Sequence, residues 1–367
     1  MTHFALLAAL VVAPPQDSGA FIVRMGTDTL VVERFTRTGS RIDGEYLARS
    51  PRTVLRRWTA TLAPDGSVRT FEMTSTSPAE PGRGAVRATL EFSGDSVTSR
   101  QGAGDSVQTR RVAAPQGTLP YLGNSWTLLE QAVRRARTRG SAPVTQPMIG
   151  PGDDEPLQIG VAPGADSVVV SIFGNPNVAR VDATGRILSV RGFGQVTVER
   201  MARLDLPALV TTFANRPLGA LSPRDTARGE VGGAHLTVDY SRPARRGRTI
   251  FGGIVPWGQV WRTGANTATT LITDAAVVIG GAAIPKGQYT LYTIPTPTGW
   301  TLIINRAVGQ SGTEHDPAQD LVRIPMTIES LPESVERLTI GIDARGSGSA
   351  LSIAWDRTRA WIPVAAQ

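Results

Sequence analysis

Two short segments hold the residue types on which chemistry most often rests. In Trp261-Arg262-Thr263-Gly264-Ala265-Asn266 a guanidinium stands four residues before a carboxamide. Arg presents paired N–H donors that match a carboxylate or a phosphate. An exposed Arg262 beside Asn266 would therefore form a fork-and-amide anion site, with Trp257 flanking it and Tyr240, Arg242 and Arg248 as candidates for the same surface. A structural reading competes with this one. In it, Trp257 and Trp261 anchor a core, while Gly264 and Asn266 shape a turn.

The second segment is Glu314-His315-Asp316, with Asp320 four residues further on. One imidazole and three carboxylates would suit a hard cation such as Ca²⁺, but the spacing is that of no known loop motif, which favours a solvated polar loop and no metal. As an acid–base group His315 needs a nucleophile, and no Gly-x-Ser-x-Gly elbow occurs in the chain. A hydrolase reading would rest on His315, Asp316, Glu314 and Arg262. His235 precedes a strand and reads as a boundary residue.

Composition excludes several classes outright. With no cysteine among 367 residues, a disulfide scaffold, a zinc ribbon, a thiol enzyme and a haem-thiolate site all lack their sulfur. The formal charge is +7, and Lys286 is the sole lysine, so the positive charge is almost wholly Arg. The run Arg242–Arg248 suggests a nucleic-acid patch, yet no reading helix or stacking platform accompanies it. No Walker A sequence is present, and Gly192-Phe193-Gly194 reads as a turn. No cofactor and no nucleic-acid partner are expected.

The elements that must position these residues are mostly strands. Phe4–Ala13 is too short to span a bilayer and has the length of a signal-peptide core, so residues 1–20 read as a leader. The alternative is a buried first strand. From Phe21, short alternating runs separated by turn residues predict a curved antiparallel β domain over 21–215. One segment breaks the pattern: Thr127-Leu-Leu-Glu130 reads as a capping box, opening a helix over 127–139 with Arg134, Arg135, Arg137 and Arg139 on a solvated face. Residues 140–160 read as a long loop. Residues 216–233, rich in Pro and Gly, read as a linker. Short strand candidates from Leu236 onward, without helical period, predict a β-sandwich over 234–367. The fold class is thus mainly β, with two antiparallel domains.

In this second domain specific motifs carry a resemblance. They are Val238-Asp-Tyr-Ser-Arg-Pro243, Phe251-Gly-Gly-Ile-Val-Pro-Trp-Gly258, Val260-Trp-Arg-Thr-Gly-Ala-Asn266, Ile284–Pro295, Trp300-Thr-Leu-Ile-Ile-Asn305 and Gly309-Gln-Ser-Gly-Thr-Glu314. Over Leu236–Val364 the chain resembles the bacterial family catalogued as domain of unknown function 2911. The resemblance implies a secreted, mostly β domain without an established activity or cofactor, and it supplies no catalytic residues. A curved sheet clasping one helix resembles lipoprotein-carrier folds by pattern alone.

The expected function is that of an exported, non-enzymatic binding or accessory protein, periplasmic or otherwise extracytoplasmic. Its partner would be a protein or a membrane complex, docked on the outer face with peripheral membrane contact. The alternatives are a periplasmic hydrolase and a carrier of a small apolar ligand.

Overall fold

The structure is a computed structural model that describes residues 16–346 and 348–367. The chain forms two compact units: Met1–Arg24 with Thr29–Gly219, and Met25–Asp28 with Ala220–Gln367. The apolar run Phe4–Ala13 lies outside the described residues. Asp17–Ala20, which the expected leader included, belong to the first strand.

The first unit is a fifteen-stranded sheet. Its first half comprises β1 (Gln16–Met25), β2 (Asp28–Thr38), β3 (Arg41–Ala48), β4 (Val54–Leu62), β5 (Val68–Thr76), β6 (Val86–Ser93), β7 (Ser96–Ala103) and β8 (Ser106–Ala113). The second comprises β9 (Leu119–Pro120), β10 (Val144–Ile149), β11 (Leu157–Pro163), β12 (Ser167–Ile172), β13 (Asn175–Val181), β14 (Ile187–Gly192) and β15 (Val196–Met201). Strands β1 to β8 and β10 to β15 are antiparallel meanders, β9 adds to β10 in parallel through α1 (Trp126–Thr138), and β1 meets β15 in the middle, so β8 and β9 form the two edges. The sheet curls until β9 also touches β5. Turn chemistry sets the register: in Pro64-Asp65-Gly66 the glycine takes φ +75°, and Asp65 accepts from the backbone N–H of Ser67.

Helix α1 (Trp126–Thr138) is buried on nearly every side, including Leu128, Leu129, Ala132, Val133 and Arg135. It therefore sits within the curl, as the expected clasped helix. Two local readings need correction. The cap is Ser125, whose hydroxyl accepts from Leu128 N; Thr127 lies inside the helix, and no capping box forms. Nor is the Arg face simply solvated. Arg135 is buried and donates to Gly117 O and Asp65, acceptors that satisfy its guanidinium away from solvent.

Glu130, expected to close that box, is fully buried and instead gathers charge from across the sheet. Its carboxylate meets Arg37 at 3.5 Å, Arg134 at 3.2 Å and Arg200 at 2.7 Å, and accepts from Ile187 N at 2.7 Å. Asp17 bridges Arg134 and Arg200. A buried carboxylate is tolerable only when its lone pairs are so satisfied. A second helix, α2 (Leu206–Phe213), capped by Asp205, packs Leu206 against Val32, Leu47 and Leu55. Residues 140–160 are not one loop: they contain β10 and much of β11, whose strands pair Val144–Met148 with Leu157–Val161. Pairing partners override the weak local pattern there.

The second unit is a nine-stranded sheet. Its strands are β16 (Arg224–Val231), β17 (Ala234–Ser241), β18 (Thr269–Thr273), β19 (Val277–Ile279), β20 (Ala282–Ile284), β21 (Gly287–Pro295), β22 (Trp300–Asn305), β23 (Asp320–Arg345) and β24 (Gly348–Ala366). The spatial order is β16-β17-β18-β21-β22-β23-β24-β19-β20. Strands β23 and β24 are long, and their register shifts between Ser330 and Val335 and again before Thr339. Beyond those shifts the second half of β23 lies over β17, where the Tyr240 hydroxyl accepts from Ile340 N at 3.0 Å. The layers enclose one core that includes Leu236, Val238, Leu291, Leu302, Ile304 and Ile353, the expected β-sandwich. The stretch 216–233 read as a linker contains the boundary between the units at Gly219 and also the whole of β16.

Candidate functional site

The second unit brings two of the sequence motifs together, although they are some fifty residues apart. Trp261 exchanges backbone hydrogen bonds with Thr293 at 2.8 and 2.9 Å, which fixes the start of the Trp261–Asn266 turn on β21. Asn266 closes that turn at φ +60°, in the left-handed region Asn tolerates. Next to it, Thr267 forms a β-bridge with Ser311. This pairing seats the Gly309–Glu314 loop against the turn, with Gly312 buried at the junction. A Cβ at Gly312 would lie 2.5 Å from Arg262 Cδ and 2.7 Å from Asn266 O. Only glycine lets the Arg262 stem and the Asn266 backbone share that space.

Arg262 and the Asn266 backbone thus both border Gly312. Arg262 is half-buried, Asn266 exposed. Burial holds the Arg262 guanidinium below its ordinary pKa. The hydroxyls of Ser311 and Thr313, exposed on either side of Gly312, stand 3.1 Å apart. In the sequence these residues belong to the Gly309–Glu314 motif beside His315, and the β-bridge at Thr267 is what puts them near Arg262.

The aromatic residues follow the structural reading. Trp261 stacks on Trp355 at 6.0 Å and meets Phe251 and Trp300 edge-on. Trp257 stacks on Phe251 at 5.9 Å while staying 40 % exposed. Gly252, at φ +79°, is needed there, because a Cβ would come within 2.4 Å of Trp257 Nε1.

Tyr240 and Arg248 do not join the Arg262 surface. Tyr240 is a core side chain, and Arg248 is buried, donating to the carbonyls of Arg245 at 3.0 Å and Ala244 at 2.6 Å. Both serve the backbone, whose carbonyls and amides must be satisfied once buried. Arg242 is similarly engaged, by Leu338 O, Asp225 and Thr339. The basic run therefore works largely as structural donors.

His315 and Asp320 form a compact pair. His315 Nε2 lies 2.9 Å from Asp320 Oδ1, and its ring meets Tyr292 edge-on at 4.8 Å. Arg323 takes the other carboxylate oxygen through two donors, at 2.9 and 2.7 Å, and Asn305 adds a bond at 2.8 Å. Burial opposes ionisation of Asp320, but the bonds from Asn305, His315 and Arg323 outweigh it and hold the carboxyl below its ordinary pKa. No serine or threonine hydroxyl bonds to His315 among the described residues. Nor do three or more His, Asp or Glu side chains gather there as a metal site. Asp316 instead caps a 3₁₀ turn at Pro317–Gln319. His235, read as preceding a strand, lies inside β17, opposite Glu230, with its backbone N–H on Asp274.

The first unit offers a different feature. Edge strand β8 pairs only with β7 among the described residues, and every residue of it except Val112 is exposed. Arg110 pairs with Asp154, and Arg111 donates to the Ser96 hydroxyl. The recurring Asp-Ser-Val entries mark its hairpin in the sequence, but an edge position is visible only once the topology is known.

No curated protein matches the chain. Among solved structures it is similar to a DUF1089 family protein from Pseudomonas aeruginosa, with 13% identity, a TM-score of 0.34, and cover of 51% of this chain and 95% of that one. It is also similar to a β-barrel-like protein of domain of unknown function DUF1849 from Brucella abortus, with 9% identity, a TM-score of 0.29, and cover of 52% and 96%. The motifs of the second unit point to the family that is found: residues 222–364 match the model described as Protein of unknown function (DUF2911).

Proposed function

We propose that the chain is an extracytoplasmic accessory protein that binds a partner rather than transforming a substrate, docking on the outer face of a membrane protein complex. The observation that carries this reading is the open edge of β8. An edge strand presents a row of unpaired N–H and C=O groups, and native sheets ordinarily blunt such edges with proline, inward charges or a covering element. Here seven of the eight β8 residues are exposed, on a hairpin in which Arg100 pairs with Glu91 and Arg110 with Asp154. Strand addition supplies affinity through main-chain bonds and specificity through side chains alternating across the sheet. The row of open main-chain groups selects an extended segment of a partner protein as the occupant.

The carrier alternative has less support, since α1 fills the concave side of the sheet. The hydrolase alternative has less support too, since His315 is committed to Asp320 without a hydroxyl partner. The test is detergent extraction of native membranes followed by isolation of the tagged chain. Co-purification with a membrane assembly, with release as salt rises and screening shortens the reach of the Arg charges, is the expected result. Recovery as a free monomer at low salt overturns the proposal.

A further inference from the structure

Most half-buried or buried guanidinium groups in this chain are held by oxygen acceptors. Arg37 reaches Gln131, Glu130 and the Thr127 carbonyl; Arg135 reaches Gly117 O and Asp65; Arg242 reaches Asp225 and Leu338 O. Arg262 differs. Its side chain has no hydrogen bond or ion pair with any described residue, and burial alone, with no compensating carboxylate, acts on its charge. Glu314, two residues beyond Gly312, is exposed and forms no pair with it. None of its nitrogens is among the buried side-chain atoms left without a partner, so the guanidinium donors stay open to solution while Gly312 holds the stem in place. Satisfaction of that charge must then come from solution.

The neighbouring groups say what would fit. A guanidinium fork takes two oxygens of one acceptor, and the Ser311 and Thr313 hydroxyls, hydrogen-bonded to each other at 3.1 Å, leave one proton free to donate from the adjoining loop. Donors from two loops suit an acceptor with oxygens on several sides. A planar carboxylate keeps its acceptor directions in one plane, whereas a tetrahedral oxyanion spreads them over several sides. We infer that Arg262, Ser311 and Thr313 form a binding site for a tetrahedral oxyanion of the phosphate class. This site is in the second unit and does not depend on strand docking at β8, so each idea can fail alone.

Inorganic phosphate and acetate serve as probes, titrated into the full chain at constant ionic strength. Phosphate is expected to bind saturably and to raise the melting temperature by about 2–5 °C at saturation, while acetate does neither. Arg262→Met is expected to weaken phosphate binding at least about tenfold, as loss of a charge-assisted bond does. Arg262→Lys, which keeps the charge but loses the fork, falls between. The double variant Ser311→Ala with Thr313→Val removes exposed hydroxyls only, so it keeps the ligand-free melting temperature and weakens binding about threefold or more. Absence of saturable phosphate binding up to about 10 mM overturns the inference. So does unchanged binding in the double variant together with unchanged binding in folded Arg262→Met.

Discussion

The side chain of Arg262 rests on Gly312 so closely that a single added methyl would stand 2.5 Å from its Cδ. The other near neighbour is the Asn266 carbonyl at 2.7 Å, which belongs to the backbone of a turn and cannot swing aside. Gly312→Ala should therefore cost about 1–3 kcal/mol, the usual penalty of overpacking, read from the urea midpoint. Gly299→Ala is the control, since nothing lies within 4 Å of a Cβ there. Equal stability of the two variants would show that the loop yields freely and that Arg262 is not held.

Much of this was legible before any coordinates. Arg262 with Asn266 was visible as a pair because only four residues separate them, and the strands of both units were visible where apolar residues alternate. What stayed hidden has a physical cause in each case. Strand β16 reads Arg-Asp-Thr-Ala-Arg-Gly-Glu-Val, with little apolar alternation, because its pairing with β17, rather than its own pattern, holds it in place. Strand β10 contains Pro147, a residue that normally argues against a strand. Strand β23 is interrupted by register shifts between Ser330 and Thr339, around Pro332, so its two halves have no common alternation along the sequence. The Ser125 cap lost to Thr127 in the sequence reading because Thr127-x-x-Glu130 matches the capping pattern, whereas Glu130 is drawn to Arg200 and Arg37 by tertiary contacts that no local pattern records.

Glu33 supplies a pH prediction. The fully buried carboxyl sits at the start of α1, accepting from Thr127 N and the Ser125 hydroxyl, both at 2.8 Å. Desolvation dominates these bonds and raises its pKa to about 7. The folded state then binds a proton more tightly than the unfolded chain, so this contribution is complete below about pH 4.5 and falls as pH rises towards 7. The loss is on the order of 3 kcal/mol. Glu33→Gln, which stays neutral, should flatten the slope of unfolding free energy over that window. A slope unchanged by the substitution assigns the pH dependence to other groups.

Glu130 is the counter-charge for Arg37, Arg134 and Arg200 at once. Removing one partner of a buried pair strands the other charge, typically at a cost of about 3–5 kcal/mol. Glu130→Ala should reach that range in urea denaturation. Conversion of Arg37 to Met in the same background should recover part of the loss, because one stranded guanidinium disappears. A cost below about 1 kcal/mol would mean that Asp17 alone neutralises the cluster.

Gly44 and Trp58 are opposite residues on β3 and β4. A Cβ on Gly44 would lie 2.2 Å from the Trp58 ring, so the strand carries glycine because the indole lies across it. Gly44→Ala should displace Trp58 from its packing against Phe71 and cost about 1–3 kcal/mol. A red shift of tryptophan emission should accompany it. Trp58→Leu in the same chain should relieve the strain and restore part of the stability, an outcome that a purely entropic cost of the alanine could not produce.

Strand β8 allows its free edge to be tested without any partner. Along a strand, successive N–H groups point alternately towards the two sides, so of Gln108 and Thr109 one donates towards β7 and the other outwards. Proline removes the donor at either position. At the inward position it deletes a ladder bond, costing about 1 kcal/mol or more. At the outward position on an edge strand it is tolerated, leaving the urea midpoint within about 0.5 kcal/mol of the parent. Gln108→Pro and Thr109→Pro should therefore differ, and the harmless one should abolish co-purification with the membrane assembly. If both destabilise alike, the outward groups of β8 are already engaged within the fold and the edge is not open for docking.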